Sequence, residues 1–520
     1  MNTPSLLFLL MLAVPSADSL WIQTRDDAHV RIDVHKPLPA NWGYSPLRVT
    51  IQNDSNRARQ WFFDFESNGQ NGKTRESVFV IEVPSNGVST HEIVVPQAGD
   101  LFEQSSLSMR VRGFGVLNPG YQYPLSSYDA QGSATVGVSS TVVDAASVTL
   151  PGTPVEPKLL PSDWRGLTGL NGLVLGEEDW IEMTPDVRNA LLDWVARGGR
   201  LVRVGGKEFL PTLYGLGMHA SIESDHDKAI AALGGTPRAD YAAWIGQRVA
   251  PITTRAGWLT VFLVAYALLI GPVNLLVISP QGKRARLLWT MPAFSLGSSA
   301  FLATLILLQD GAGGAGHRSS LVYLLPHRNR EVVLQEQVSR TGALLGTSFE
   351  VAEPVLLFDA SGGGWTLARL GSEGARFSGD WFRSRSVQAQ RIEAVRPGRA
   401  RIEKLAGEPG VGVHSMLEDP IETIYYRDRQ GSLWTGGGLF PGERRALVPA
   451  SEQAFEAWWG EVAAMAGPRM EAHLRTLYWE RDVYFAKAAG DASHGVIETL
   501  EAIRWKQDVL VYAGRLDGEE

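Results

Sequence analysis

The run GWLTVFLVAYALLIGPVNLLVI occupies residues 257–278, and a second run, LLWTMPAFSLGSSAFLATLILL, occupies residues 287–308. Each is 22 residues long, and neither contains Asp, Glu, Lys or Arg. At about 1.5 Å per residue either run reaches roughly 33 Å, enough to cross a hydrocarbon core of about 30 Å. The eight residues between them, Ser279 to Arg286, carry Lys283, Arg284 and Arg286. This pattern predicts a two-helix transmembrane hairpin with spans 257–278 and 287–308, closed by a basic cytoplasmic turn over 279–286. Trp258 and Trp289 fall near opposite ends of their runs, where interfacial anchors belong. Pro272 predicts a kink in the first helix. Asn274, just beyond it, is expected to hydrogen-bond across to the second helix or to a carbonyl that the kink frees. No ionisable residue lies at mid-span and two helices are too few for a pore, so a transport path is not expected. A soluble protein could hold such a hairpin only by enclosing both helices on every side.

The amino terminus bears on the orientation. An apolar stretch from Leu6 to Val14 precedes Ala17-Asp18-Ser19, which reads as a signal peptide over residues 1–19, the alternative being a retained anchor. Export of the following residues would send the first helix inward and leave the basic turn in the cytoplasm. The expected location is the inner (cytoplasmic) membrane, multi-pass, with the soluble domains on the periplasmic or extracellular side.

With 520 residues the chain has room for several domains. A net charge of -8 gives no electrostatic reason to expect nucleic acid as a partner. The absence of cysteine removes disulfides, thiolate metal sites and every Cys-nucleophile mechanism.

Residues 20–145 carry the alternation of half-buried strands. Val30, Ile32 and Val34 alternate with Arg31, Asp33 and His35, and Leu47, Val49 and Ile51 repeat the pattern. Further candidates at 61–65, 78–83, 92–95 and 107–112 predict an antiparallel β-sandwich. His29, His35 and His91 read as strand-face residues rather than metal ligands.

The pattern changes over 146–250. Residues 147–150 and 173–175 read as short buried strands. Val187, Ala190, Leu191, Trp194 and Val195 then follow a helical period. Thr184 suits the N-cap, Pro185 the first turn and Gly198 a left-handed C-cap, and a strand follows at 201–204. Strand, helix and strand at this spacing indicate a βαβ unit within a small parallel layer. Asp163, Trp164 and Arg165 are candidate ligand contacts, although the preferred reading is a loop anchored by a packed Trp with a solvated ion pair. Asp225-His226-Asp227 reads as a solvated loop.

The segments Leu160-Pro-Ser-Asp-Trp-Arg-Gly166 and Trp194-Val-Ala-Arg-Gly-Gly-Arg-Leu-Val202, with Gly271-Pro-Val-Asn274 in the first apolar run, carry a resemblance. The region is similar to the class I glutamine amidotransferase-like domains of bacterial membrane proteins in which transmembrane helices follow. The resemblance implies a flavodoxin-like α/β fold. It also implies association with MoxR-type AAA ATPases, von Willebrand A-type membrane proteins or ABC transporter subunits. Active members of that class use a Cys nucleophile, which this chain lacks throughout, and no Gly-x-Ser-x-Gly elbow replaces it. A degenerate domain kept for binding or assembly is therefore expected, with no catalytic residues, cofactor or metal.

Gly311-Ala-Gly-Gly-Ala-Gly316 fits G-x-G-x-x-G but follows an apolar helix rather than a strand, so residues 309–318 read as a flexible linker. Residues 319–520 turn β-like again, with strands at 321–325, 332–334, 355–358 and 421–426. A helical period runs from Phe455 to Val462 and again over 470–484, and residues 508–512 read as a closing strand. Tyr425, Tyr426 and Trp434 could form an aromatic platform for a sugar or peptide, or serve as core.

The expected fold class is thus a multidomain α+β membrane protein. It has an N-terminal β-sandwich, a small α/β domain, a two-helix transmembrane hairpin and a C-terminal β-sandwich-like domain with helices. The expected role is a non-catalytic, membrane-anchored accessory or assembly protein of the cell envelope. The alternatives are an envelope hydrolase or transferase, or a glycan-binding module.

Overall fold

Alternation along the first strands decides where the first core lies. Ile32 and Val34 on Val30–His35 and Val49 and Ile51 on Tyr44–Asn53 are buried, while their neighbours face outward. In the computed structural model of the chain these strands form a four-stranded antiparallel sheet with Ser19–Ile22 and Gly87–Pro96. The described residues are 19–516 apart from 39–41, 70–71, 100–104, 127–135, 146–151, 206–208, 223–239, 250–255, 362–364, 372–373, 406–409, 491 and 493. The expected signal sequence through residue 18, the strand at 147–150 and the Asp225-His226-Asp227 loop lie outside the described residues.

The four-stranded sheet packs against a second one through Trp61, Phe63, Met109 and Val111. Arg59–Gly69, Thr74–Val83, Ser105–Gly113 and Tyr123–Ser126 form one part of that second sheet. The other part comes from far along the chain. Trp365–Gly371 pairs in parallel with Thr74–Val83, and Gly374–Gly379 and Phe349–Val351 follow outward. The sandwich is therefore not confined to residues 20–145. Its carboxyl boundary also moves, because Val136–Ser139 belongs to the next layer.

That layer is a sheet of six strands in the order Thr153–Val155, Val136–Ser139, Gly172–Gly176, Arg200–Val204, Gly217–Ile222 and Phe209–Tyr214. The first five run parallel and the last is an antiparallel edge. Numbered along the chain, the parallel strands lie in the order 2-1-3-4-5. The helix Pro185–Ala196 starts at Thr184, whose hydroxyl accepts from the Val187 N–H. It ends at Gly198, which holds φ of 128°. The neighbouring Gly199 has no side chain for a different reason, since a Cβ there would lie 2.5 Å from the Trp194 ring.

The carboxyl-terminal block is one sheet of eleven strands. Its centre pairs Gly314–Leu325 in parallel with Ile503–Arg515. On Gly314–Leu325, Leu321, Tyr323 and Leu325 join the core shared with Trp194, Phe455 and Met470. Val322 and Leu324 join the opposite core, with Phe377, Trp381 and Phe382. Burial on both faces explains an uninterrupted apolar run. The helices Glu452–Met465 and Pro468–Leu477 cover the first face together with the α/β layer.

Two expectations are corrected here. Residues 309–318 are not a flexible linker, because the second apolar helix runs to Asp310 and a strand begins at Gly314. The glycines serve packing: a Cβ on Gly316 would lie 2.4 Å from the Trp505 ring. The helical segment over 470–484 ends at Leu477, and Val483–Ala488 is a strand whose residues are needed in the sheet. The strand expected at 508–512 is present within Ile503–Arg515 and lies in the middle of the sheet.

The chain is thus mixed α+β, with several large sheets and few helices. The first apolar run forms the helix Ala256–Leu268, which continues as a wider π-helical segment, Leu269–Ile278. The change begins just before Pro272, which lacks an N–H and crowds the preceding turn. Among the described residues one helix, Thr260–Ile278, is long and apolar enough to cross a membrane. The second helix, Leu287–Asp310, packs beside it, with Phe262 stacked on Phe301 at 6.0 Å between ring centres.

Candidate functional site

In open parallel sheets ligands bind beyond the carboxyl ends of the strands, where the strand order reverses. Here the reversal lies between Val136–Ser139 and Gly172–Gly176, and a cleft of about 480 Å³ opens there. Its floor is built from the residues that follow each strand. The Thr141 hydroxyl donates to Asp179 Oδ2 at 2.7 Å, and the Gly176 N–H donates to the same oxygen at 2.9 Å. Ser139 Oγ lies 2.8 Å from Thr141 Oγ1. Asp179 is buried, so these bonds offset the cost of removing a carboxylate from water.

The N-terminal sandwich supplies the other wall. Arg48 pairs with Glu92 at 3.2 Å, and Glu92 Oε2 accepts from Ser162 N at 2.9 Å and from Ser162 Oγ at 2.5 Å. Five carboxylates line the cleft (Glu92, Glu156, Asp179, Glu182 and Asp186) against two cations, Arg48 and Lys158. This lining suits a basic or hydrogen-bonding ligand. Among the described residues the lining holds no histidine beside Asp179 that could complete a nucleophile, base and orienting group.

A buried ionic seam fixes this layer to the long sheet. Arg197 pairs with Glu393, and Arg391 reaches the same carboxylate at 3.0 Å. Burial alone would raise the Glu393 carboxyl, but Arg197 and Arg391 hold it down at about 2. Glu336 accepts from the Arg469 and Met470 N–H groups, at 3.0 and 2.7 Å, at the start of Pro468–Leu477. Its own pKa is raised by burial, against those bonds. Burial lowers Arg469 to about 10 and His473 well below its ordinary value, with neighbouring guanidinium charge adding to the histidine's shift. On the α/β layer itself burial lowers His219 to about 4, assisted by Arg203.

The sequence-predicted contacts lie elsewhere. Asp163 caps the turn Trp164–Leu167 and pairs with Arg165 at 2.6 Å, while Trp164 is buried in the core. Ser162 brings this loop to the edge of the cleft, but these three residues do not line it. Tyr425 and Tyr426 are adjacent on one strand and so point to opposite faces. Tyr425 packs with Phe455 and Trp458, whereas the Tyr426 hydroxyl donates to Asp482 at 2.8 Å in the other core. Trp434 is half-buried and donates to Asp428 at 2.9 Å. No shared platform forms from the three.

Of the hairpin residues, Lys283, Arg284, Arg286 and Trp289 are exposed. Pro272 lies in the π-helical segment. The side chain of Trp258 lies outside the described residues. Asn274 is fully buried, but neither end of its amide has a hydrogen-bond partner among the described residues, contrary to expectation. Sequence reasoning missed Thr141, Asp179, Arg48 and Glu92. The available signal was a hydroxyl-rich or acidic turn directly after each apolar strand, Ser139-Ser-Thr141 and Glu177-Glu-Asp179.

In sequence the chain matches no protein family and no curated relative. In structure it is similar to a DUF1425 family member from Shewanella sp. pv-4, at 19% identity, 19% of this chain, 93% of that one and a TM-score of 0.13. It is also similar to the structural-genomics target SoR45, at 12% identity, 22% of this chain, 85% of that one and a TM-score of 0.12. A third likeness is to a tryptophan-to-phenylalanine variant of oxalate decarboxylase from B. subtilis, at 8% identity, 74% of this chain, 79% of that one and a TM-score of 0.09. None of these likenesses is close enough to assign fold or function.

Proposed function

We propose that this chain is a non-catalytic, membrane-anchored accessory protein of the cell envelope whose exported body binds partner proteins. One observation carries the reading. An apolar helix pair stands outside a body whose own cores are complete, and Leu263, Val264, Leu276, Val277, Leu288, Leu296 and Phe301 are all exposed on it. In water that contiguous surface would be strongly unfavourable, at roughly 25 cal/mol per Å², whereas a bilayer solvates it. The two helices then form a transmembrane hairpin in the inner membrane, with Lys283, Arg284 and Arg286 in the cytoplasm.

The acidic cleft at the strand-order reversal is the partner site, and it favours a segment bearing Lys or Arg. The resemblance to amidotransferase-like membrane proteins supports an ATPase, a von Willebrand A-type protein or an ABC transporter subunit as the associated system. The lack of any Cys removes the nucleophile that active members of that class use.

Crosslinking in intact cells, followed by affinity purification of the membrane-embedded protein, tests the reading. Recovery of a stoichiometric membrane or ATPase partner is the expected result. A protein that leaves the membrane in alkaline carbonate, or remains membrane-bound without any partner, would overturn it.

A further inference from the structure

Where the helix Leu287–Asp310 meets the body, a second pocket of about 320 Å³ opens. Its wall is the short connection from Gly311 to Gly314 and the turn at Gly342. The two segments are bonded to each other, Gly313 N to Ala343 O at 2.9 Å, Gly342 N to Gly313 O at 2.8 Å and Ala343 N to Gly311 O at 3.0 Å. Three arginines stand around it, Arg340, Arg385 and Arg504, all of them exposed. No carboxylate among the described residues lines it. The guanidinium groups of Arg340 and Arg504 have no ion pair or hydrogen bond among the described residues. Arg385 is held in the left-handed backbone region at φ 56°, with its N–H donating to Gly342 O at 2.9 Å.

Guanidinium groups in a pocket whose described lining holds no carboxylate favour an oxyanion, and their planar forks match phosphate. The carbonyl end of the helix, about half a negative charge, opposes an anion here, but the guanidinium charges of Arg340 and Arg504 outweigh it. The location selects the source of the phosphate. Gly311 directly follows the exposed apolar helix, so the pocket lies at the depth where lipid headgroups end. We propose that this pocket binds the phosphate of an anionic phospholipid headgroup, clamping the body to the outer surface of the membrane. The inference rests on the membrane reading above.

The full chain in nanodiscs of equal phosphatidylglycerol and phosphatidylcholine provides the test, with the retained lipids counted by native mass spectrometry. The wild type is expected to retain phosphatidylglycerol preferentially. The double variant Arg340→Gln/Arg504→Gln should lose that preference by about tenfold, whereas Arg340→Lys/Arg504→Lys keeps part of it. Equal retention by wild type and the Gln variant would overturn the proposal. Tight binding of inorganic phosphate to the wild type without preference for phosphatidylglycerol would overturn the lipid as the source. Flotation of the same proteins with vesicles reads the membrane reading separately. A wild type that does not float refutes that reading, and one that floats without headgroup preference refutes the pocket alone.

Discussion

The Arg197 guanidinium at the end of the helix Pro185–Ala196 meets the Glu393 carboxylate in the interior of the long sheet. With Arg328 on Asp193 at 3.0 Å, it fastens the α/β layer to the carboxyl-terminal block. Arg197→Met should destabilise the protein by about 2–4 kcal/mol, because Glu393 remains buried with less compensation. Read as the midpoint of chemical denaturation, the double variant Arg197→Met/Glu393→Met should recover little of the loss, because it leaves Arg391 buried without its carboxylate. The pH dependence follows from the depressed Glu393 value. Its contribution is fully present above the ordinary value of 4.5 and is lost as pH falls towards about 2.

A histidine sets an earlier acid limit. His219 is held at about 4 against an ordinary 6.5, so the folded state favours the neutral ring. Stability should fall as pH drops below 6.5, by about 3 kcal/mol once pH nears 4. His473 acts in the same direction. Thermal unfolding between pH 8 and 5 should show this slope, and His219→Asn should flatten it.

Gly316→Ala should cost about 1–3 kcal/mol, because the added methyl meets the Trp505 ring and the backbone of the strand Arg330–Thr341. Trp505→Leu in the same chain should restore part of the stability. A neutral Gly316→Ala in a melting experiment would return this segment to the role of a loose connector.

Asn274→Leu should be neutral or stabilising by about 1 kcal/mol in detergent, since a buried amide with neither end paired is replaced by an apolar group of similar size. A marked loss of thermal stability would show that the amide has a partner in the intact protein.

Ser140→Trp places a bulky ring in the cleft beside Thr141. It should abolish recovery of the crosslinked partner while leaving expression and melting temperature within about 1 °C or 2 °C of the wild type. A partner recovered undiminished would place the binding surface elsewhere.

Local patterns were legible where local physics decides. The alternation of Val30, Ile32 and Val34, the cap of Thr184 and the turn at Gly198 each settle within a few residues, and the structure has each of them. Long-range pairing left no such trace. Nothing near Trp365 announces that it will pair with Thr74, because strand partners are chosen by complementary faces and not by neighbours in the chain. The cleft was hidden for the same reason. Val136–Ser139 looks like one more sandwich strand until its neighbours Thr153–Val155 and Gly172–Gly176 are known. Tyr425 and Tyr426 misled through composition alone, since adjacency in a strand separates two rings instead of joining them.

The parallel pairing of Trp365–Gly371 with Thr74–Val83 also sets a timetable for synthesis. The second sheet of the sandwich must wait for a strand made about 280 residues later, roughly 15–60 s at ordinary elongation rates. Throughout that interval the edge from Thr74 to Val78 lacks its partner, and an open edge of five residues is a template for the wrong one. The nascent chain therefore needs protection while it waits, and a chain truncated before residue 365 keeps that exposed edge permanently.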